Sequence, residues 1–243
     1  MDADLASPPP RWNTMVGMTT SELTTATQAG PTRTARSRAI LTLVGSVLGA
    51  VGYVLFLYLH APWERGELVP YAEMVKHRDT WLTVHYWLGP LAALGFVVLG
   101  LAVMRLLQTR ASILGSIAGV LLLVGGLGFA AGLASEGVLY FAATDPDALQ
   151  PEAGAALLGH LMETELYFPL FGVGIAGISL GCLVAAIALV ISKAVPLWVP
   201  ILLVVGVVAM AVAPHSIAWW ASSPVQIAAV AISWYGLKTT RAA

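Results

Sequence analysis

All five histidines of the chain, His60, His77, His85, His160 and His215, and the three carboxylates set deepest in apolar sequence, Glu136, Glu163 and Glu165, fall at the same ends of a set of long apolar segments. Imidazole nitrogen and carboxylate oxygen are the side-chain donors that suit iron, zinc, manganese or copper, and the same pair exchanges protons near neutral pH. His160, Glu163 and Tyr167 stand at i, i+3 and i+7, which places them on one helical face, with Glu165 pointing elsewhere. His85, near the start of one apolar segment, and Glu136, near the end of the next, reach the same depth, and His60 and His215 mark two further segment ends. The expected metal set is therefore His60, His85, Glu136, His160, Glu163 and His215, with Glu136 and Glu163 the candidate catalytic carboxylates. Three or four such ligands would hold a nonhaem metal, and two facing histidines a haem. His77, between Lys76 and Arg78, reads as a solvated loop residue.

The elements that must position these groups follow from composition. With 58% hydrophobic and 10% charged residues, and a mean hydropathy of +0.82, the 243 residues carry too little polar surface to coat a water-soluble globule. Apolar runs bounded by charges or Pro/Gly cover roughly 39–59, 83–105, 112–141, 156–192, 195–213 and 216–237. Each is long enough to cross the ~30 Å hydrocarbon layer as a helix, which satisfies every backbone group there. Runs such as Leu121 to Phe129 and Ile201 to Val205 do not alternate in polarity, which argues against a β-barrel. The expected fold is an all-α, polytopic integral membrane bundle of six transmembrane helices.

Basic residues set the expected orientation. With the N-terminus inside, nine of the 12 Lys and Arg residues (Arg11, Arg33, Arg36, Arg38, Arg105, Arg110, Lys193, Lys238 and Arg241) lie on the cytoplasmic side, and only Arg65, Lys76 and Arg78 lie outside. Both termini are then cytoplasmic and the protein belongs to the plasma (inner) membrane. Residues 1–38, with Pro8-Pro-Pro10 and no apolar periodicity, read as a disordered cytoplasmic tail, 39–237 as the six-helix domain and 238–243 as a cytoplasmic C-terminal tail. Membrane lipids are the expected partners, with a homo-oligomer or a membrane-complex partner as a further expectation. A net charge of −1 gives no reason to invoke nucleic acid.

Small residues recur at four-residue spacing in Gly45/Gly49, Gly115/Gly119, Gly128/Gly132 and Gly177/Gly181, the pattern that lets helix backbones approach in lipid. Gly177-Ile-Ser-Leu-Gly181 matches a hydrolase nucleophile pattern but sits in the middle of an apolar helix, where the required strand-turn-helix elbow is absent. The lone Cys182 reads as a packing residue. No lysine lies within a span, which excludes a retinal Schiff base, and the His160/Glu163 order reverses the Glu-x-x-His of four-helix di-iron proteins.

Two irregularities complete the reading. Pro169 can divide the fourth segment, leaving 170–192 as the span and 156–168 as an amphipathic extension at the interface. Ser222-Ser-Pro224, followed by Gln226, breaks the sixth segment, and Pro90 makes a milder break in the second. Two functions fit these features. One is a His/Glu metal or haem site supporting redox or hydrolytic chemistry on a lipid or small molecule. The alternative is a small proton-coupled carrier or accessory subunit, with a scaffold lacking chemistry as the remainder.

Overall fold

The structure, a computed structural model, describes residues 33–60, 71–164, 168–213 and 219–242. Among these residues there is no strand. The helices in chain order are α1 (Arg33–His60), α2 (Tyr71–Lys76), α3 (Arg78–Leu107), α4 (Ser112–Ala143), α5 (Pro151–Thr164), α6 (Phe168–Ser192), α7 (Trp198–Val212) and α8 (Ser223–Ala242). Four of them, α1, α3, α4 and α6, are long and apolar enough to cross a membrane. Helix α7 has 15 residues, about 22 Å at the α-helical rise and short of a ~30 Å hydrocarbon layer. Helix α8 has 20 residues but ends on Lys238, Thr239, Thr240 and Arg241, which lower its hydropathy.

The helices form a ring in which α1, α3, α4, α6, α7 and α8 are successive neighbours and α8 returns to α1. Helix α3 also packs on α6 and α8, so it is the most enclosed: 56% of its apolar window is buried, against 33% for α1. The outward side chains of α1, including Val44, Val47, Leu48, Val51, Val54 and Leu55, are exposed and apolar, as a lipid-facing surface requires.

Glycine sets the helix spacing. A Cβ added at Gly49 would fall on the Cα of Gly95, one at Gly100 would lie 2.8 Å from the carbonyl of Gly119, and one at Gly177 would lie 2.8 Å from the Cα of Gly125. All four spaced pairs of the sequence lie at such crossings within the chain: Gly45/Gly49 against α3, Gly115/Gly119 against α3, Gly128/Gly132 against α6, and Gly177/Gly181 against α4. The glycines are thus used inside the monomer. Ser179 lies in the uninterrupted helix α6, with no elbow to expose a nucleophile.

In the fourth segment helix α5 is described to Thr164 and helix α6 from Phe168, and residues 165–167 lie outside the described residues. Two boundaries differ from the sequence reading. Residues 33–38 belong to α1 rather than to the tail, and α8 runs on to Ala242. Residues 1–32 lie outside the described residues.

Ahead of Pro90, α3 takes a π-helical turn over Thr83–Leu88, in which the Gly89 N–H reaches back five residues to the Val84 carbonyl. At Ser222 the Trp219 carbonyl accepts from the Ser222 backbone N–H at 3.3 Å and lies 2.8 Å from the Tyr53 hydroxyl and 2.7 Å from the Ser222 hydroxyl, which are also paired with each other. A break in lipid is stable only when its backbone groups are re-satisfied, and Tyr53 on α1 does this from across the interface.

Gly49→Val forces α1 off α3 and is expected to lower stability by at least about 1–3 kcal/mol. Gly236→Ala, where an added Cβ meets nothing within 4 Å, is expected to be neutral or stabilising by about 0.5–1 kcal/mol. Thermal unfolding of the two variants in detergent checks both. Tyr53→Phe, which removes one of the two hydroxyls on the Trp219 carbonyl, is expected to cost about 1 kcal/mol in the same assay.

Candidate functional site

The π turn rotates His85 into the bundle, where its side chain is wholly buried. Its Nδ1 lies 3.0 Å from the carbonyl oxygen of Trp81. A carbonyl only accepts, so Nδ1 carries the hydrogen, and in the neutral ring Nε2 is the acceptor. Nε2 faces the carboxylate of Glu136 on α4, with 3.9 Å between Nε2 and Oε2, and the Glu136 side chain is 16% exposed. The separation is longer than a hydrogen bond.

Aromatic rings wall this pair. Trp81 stacks on His85 with centroids 4.0 Å apart, Tyr140 meets Trp81 edge-on at 5.2 Å, and Phe56 meets His85 edge-on at 5.9 Å. His60, half-buried at the end of α1, completes the group at 5.0 Å from the His85 ring and 5.7 Å from Trp81. The Gly137 Cα faces the His85 backbone, so that an added Cβ would sit 2.9 Å from the His85 Cβ, and this close passage of α4 brings Glu136 to the imidazole.

The corner is clamped by charge. Arg78, at the start of α3, binds Asp145 at 2.8 Å, donates to the Phe141 carbonyl at 3.2 Å and lies 3.7 Å over the Phe141 ring. This joins the start of α3 to the end of α4, the two helices that carry His85 and Glu136.

Of the six expected ligands, the structure therefore unites His60, His85 and Glu136. His160 is exposed on α5, and the ring contacts and ion pair above do not include it. The side chain of Glu163, Glu165 and Tyr167, and His215 all lie outside the described residues. His77 is an exposed surface residue, 3.9 Å from Glu73. The Lys76 ammonium beside Glu73 holds that carboxyl below its ordinary range.

Among the described residues no group of three or more His, Cys, Asp or Glu side chains is arranged to hold a metal ion. The His60 and His85 rings, tilted at 54° with centroids 5.0 Å apart, leave no slot between them for a porphyrin. What the arrangement does provide is a buried imidazole of fixed tautomer whose acceptor nitrogen faces a carboxyl group, which is the geometry of a proton-sharing pair.

Trp81 and Tyr140 are members of the cluster that the histidine and carboxylate pattern did not single out. Their spacing was the available signal, since Trp81 precedes His85 by four residues and Tyr140 follows Glu136 by four, one helical turn in each case.

A second buried polar line runs along the contact of α1 with α8. Ser222, Gln226 and Ser233 are buried on one face of the α8 segment, and Ser46 on α1 bonds Ser233 at 2.7 Å. The Gln226 amide has no hydrogen-bond partner among the described residues and occupies the space that the absent side chain of Gly95 leaves. Phe56, three residues along α1 from Tyr53, packs edge-on against His85.

Replacing His85 by Phe keeps the aromatic packing and removes the imidazole. The Trp81 indole then exchanges an imidazole neighbour for a phenyl ring, and the tryptophan emission is expected to change. An emission spectrum identical to that of the wild type would show that Trp81 and His85 do not stack in solution.

Comparison with protein-family models, with curated proteins and with solved structures finds no match for the chain.

Proposed function

We propose that this chain is a six-span protein of the plasma (inner) membrane with both termini cytoplasmic, and that His85 and Glu136 are its proton-exchanging pair, serving a small proton-coupled carrier or an accessory subunit of a membrane complex. The observation that carries this reading is the wholly buried His85, held by the Trp81 carbonyl so that Nε2 faces the Glu136 carboxylate at 3.9 Å. An ionisable pair inside a membrane span is costly, and proton relays are its characteristic use.

The step needs two groups only. A proton arriving on the half-buried His60 side passes to Nε2 of His85, and Glu136 stabilises the resulting imidazolium or accepts the proton in turn. Aromatic walls exclude water and so strengthen the interaction of the pair. The Tyr53, Ser222 and Gln226 line continues beyond Phe56 towards the opposite end, a polar route of the kind that broken helices provide in carriers. In this reading the fifth and sixth spans are formed by α7 and by the helical turn at Trp219 continued by α8. A metal or haem centre on His60, His85, Glu136, His160, Glu163 and His215 is the less favoured reading, because it needs three or more convergent ligands.

Infrared difference spectra of the protein in vesicles, stepped between about pH 5 and 8, are expected to show a protonated carboxyl band that disappears in Glu136→Gln and shifts in His85→Phe. His160→Ala should leave it unchanged. A spectrum identical in wild type and Glu136→Gln would overturn the reading. Elemental analysis of the same preparation separates the alternative, since near-stoichiometric metal that is lost on His85→Ala would favour the redox or hydrolytic site.

A further inference from the structure

At the end of the bundle that carries the start of α1, a cavity of about 560 Å³ opens between α1, α3 and α8 and the loops that follow α3 and α6. Its size is that of a small-molecule site, for which about 300–1,000 Å³ is usual. Arg105, Arg110 and Lys193 line it, and no carboxylate does. The described carboxylates whose side chains are placed, Glu73, Asp79, Glu136, Asp145, Asp147 and Glu152, belong to the opposite end. Glu136 alone lies 24 residues along α4 from Ser112, about 36 Å at the helical rise. The cations of this cavity therefore have no neutralising side chain within the described fold.

A bland reading makes these cations helix caps, and it accounts for part of their bonding. Arg105 donates to the Ala35 carbonyl at 2.9 Å and Arg110 to the Ser192 carbonyl at 3.4 Å. Each guanidinium has five N–H donors, so these bonds fix its position and leave most of its donors for another acceptor. Caps also need no cavity. Lys193 stands at a left-handed backbone position, φ 51°, which directs the chain around the rim between α6 and α7. Below the cations the wall turns apolar, with Ala39, Ala102, Leu106 and Ile232. A cationic mouth above an apolar wall, at the end of a membrane bundle, matches an amphiphile with an anionic head.

We infer that this cavity binds a phosphate group through Arg105, Arg110 and Lys193, and that a phospholipid headgroup or free phosphate is its source. The assignment is independent of the proton-exchange reading, which concerns the other end of the helices.

The test uses the full chain in detergent. Native mass spectrometry and thermal unfolding are recorded with phosphatidylglycerol, with phosphatidylcholine and with inorganic phosphate. Phosphatidylglycerol is expected to be retained and to stabilise the protein more than phosphatidylcholine. Lys193→Asn, which tolerates the left-handed backbone, should weaken that binding about fivefold, the loss expected for one cation near a lipid surface. Arg110→Gln together with Lys193→Asn should weaken it further, while Lys193→Arg retains it and Lys76→Asn, at the far end, has no effect. Stabilisation by inorganic phosphate that saturates and displaces phosphatidylglycerol would identify the free anion as the source. Equal retention of the two lipids with no response to phosphate, or anion binding that is unchanged in folded Lys193→Asn and in the double variant, would overturn the inference.

Discussion

Backbone contact through glycine is the constraint on which the rest of this structure depends. Lipid competes equally for apolar surface, so helices hold together in a membrane by close packing rather than by hydrophobic burial. The crossings at Gly49/Gly95, Gly100/Gly119 and Gly125/Gly177 supply that packing along the two sides of α3 and between α4 and α6. Once α3 is seated this closely, its polar groups have no lipid-facing alternative. His85 must find a partner inside, and Gln226 must lie in the space beside Gly95. The polar sites are therefore consequences of the glycine geometry as much as of their own chemistry.

The π turn shows how a local defect becomes positional information. Proline lacks an N–H and its ring presses on the carbonyl four residues back. The helix widens over Thr83–Leu88, just ahead of Pro90. The widened turn rotates His85 relative to the preceding turn, and its ring then stacks on Trp81 and faces Glu136. The Arg78 contacts with Asp145 and Phe141 hold the same corner from the outside, so that α3 and α4 keep their register where the pair meets.

Much of this was legible in the residues. Composition and run length gave the helical class and the four long apolar helices, because hydropathy depends only on local sequence. Four-residue glycine spacing pointed to close crossings, and Ser222-Ser-Pro224 to a break with its own replacement partners. His85 and Glu136, expected at matching depth on adjacent segments, lie with Nε2 and Oε2 3.9 Å apart. The limits were of two kinds. Periodicity cannot show which face of a segment such as 156–192 meets the bundle, and His160, on α5, is exposed. Tertiary pairing is also invisible: Arg78 was read only as a loop charge that orients the chain, whereas it binds Asp145. The basic residues Arg105, Arg110 and Lys193 were likewise read as topology signals, and nothing in their spacing reveals that they surround a shared cavity.

The widened turn in α3 has one more consequence, for lineage rather than chemistry. A π turn holds one residue more than the α turn it replaces. Deleting a single residue between Thr83 and Leu88 would therefore close it to an ordinary α turn, leaving the helix on either side facing as before while changing the facing of the residues within the turn, His85 among them. Such a chain would fold into the same bundle and lose only the meeting of imidazole and carboxylate. Descendants of this protein that kept the scaffold and gave up the site would need no more than that one lost codon.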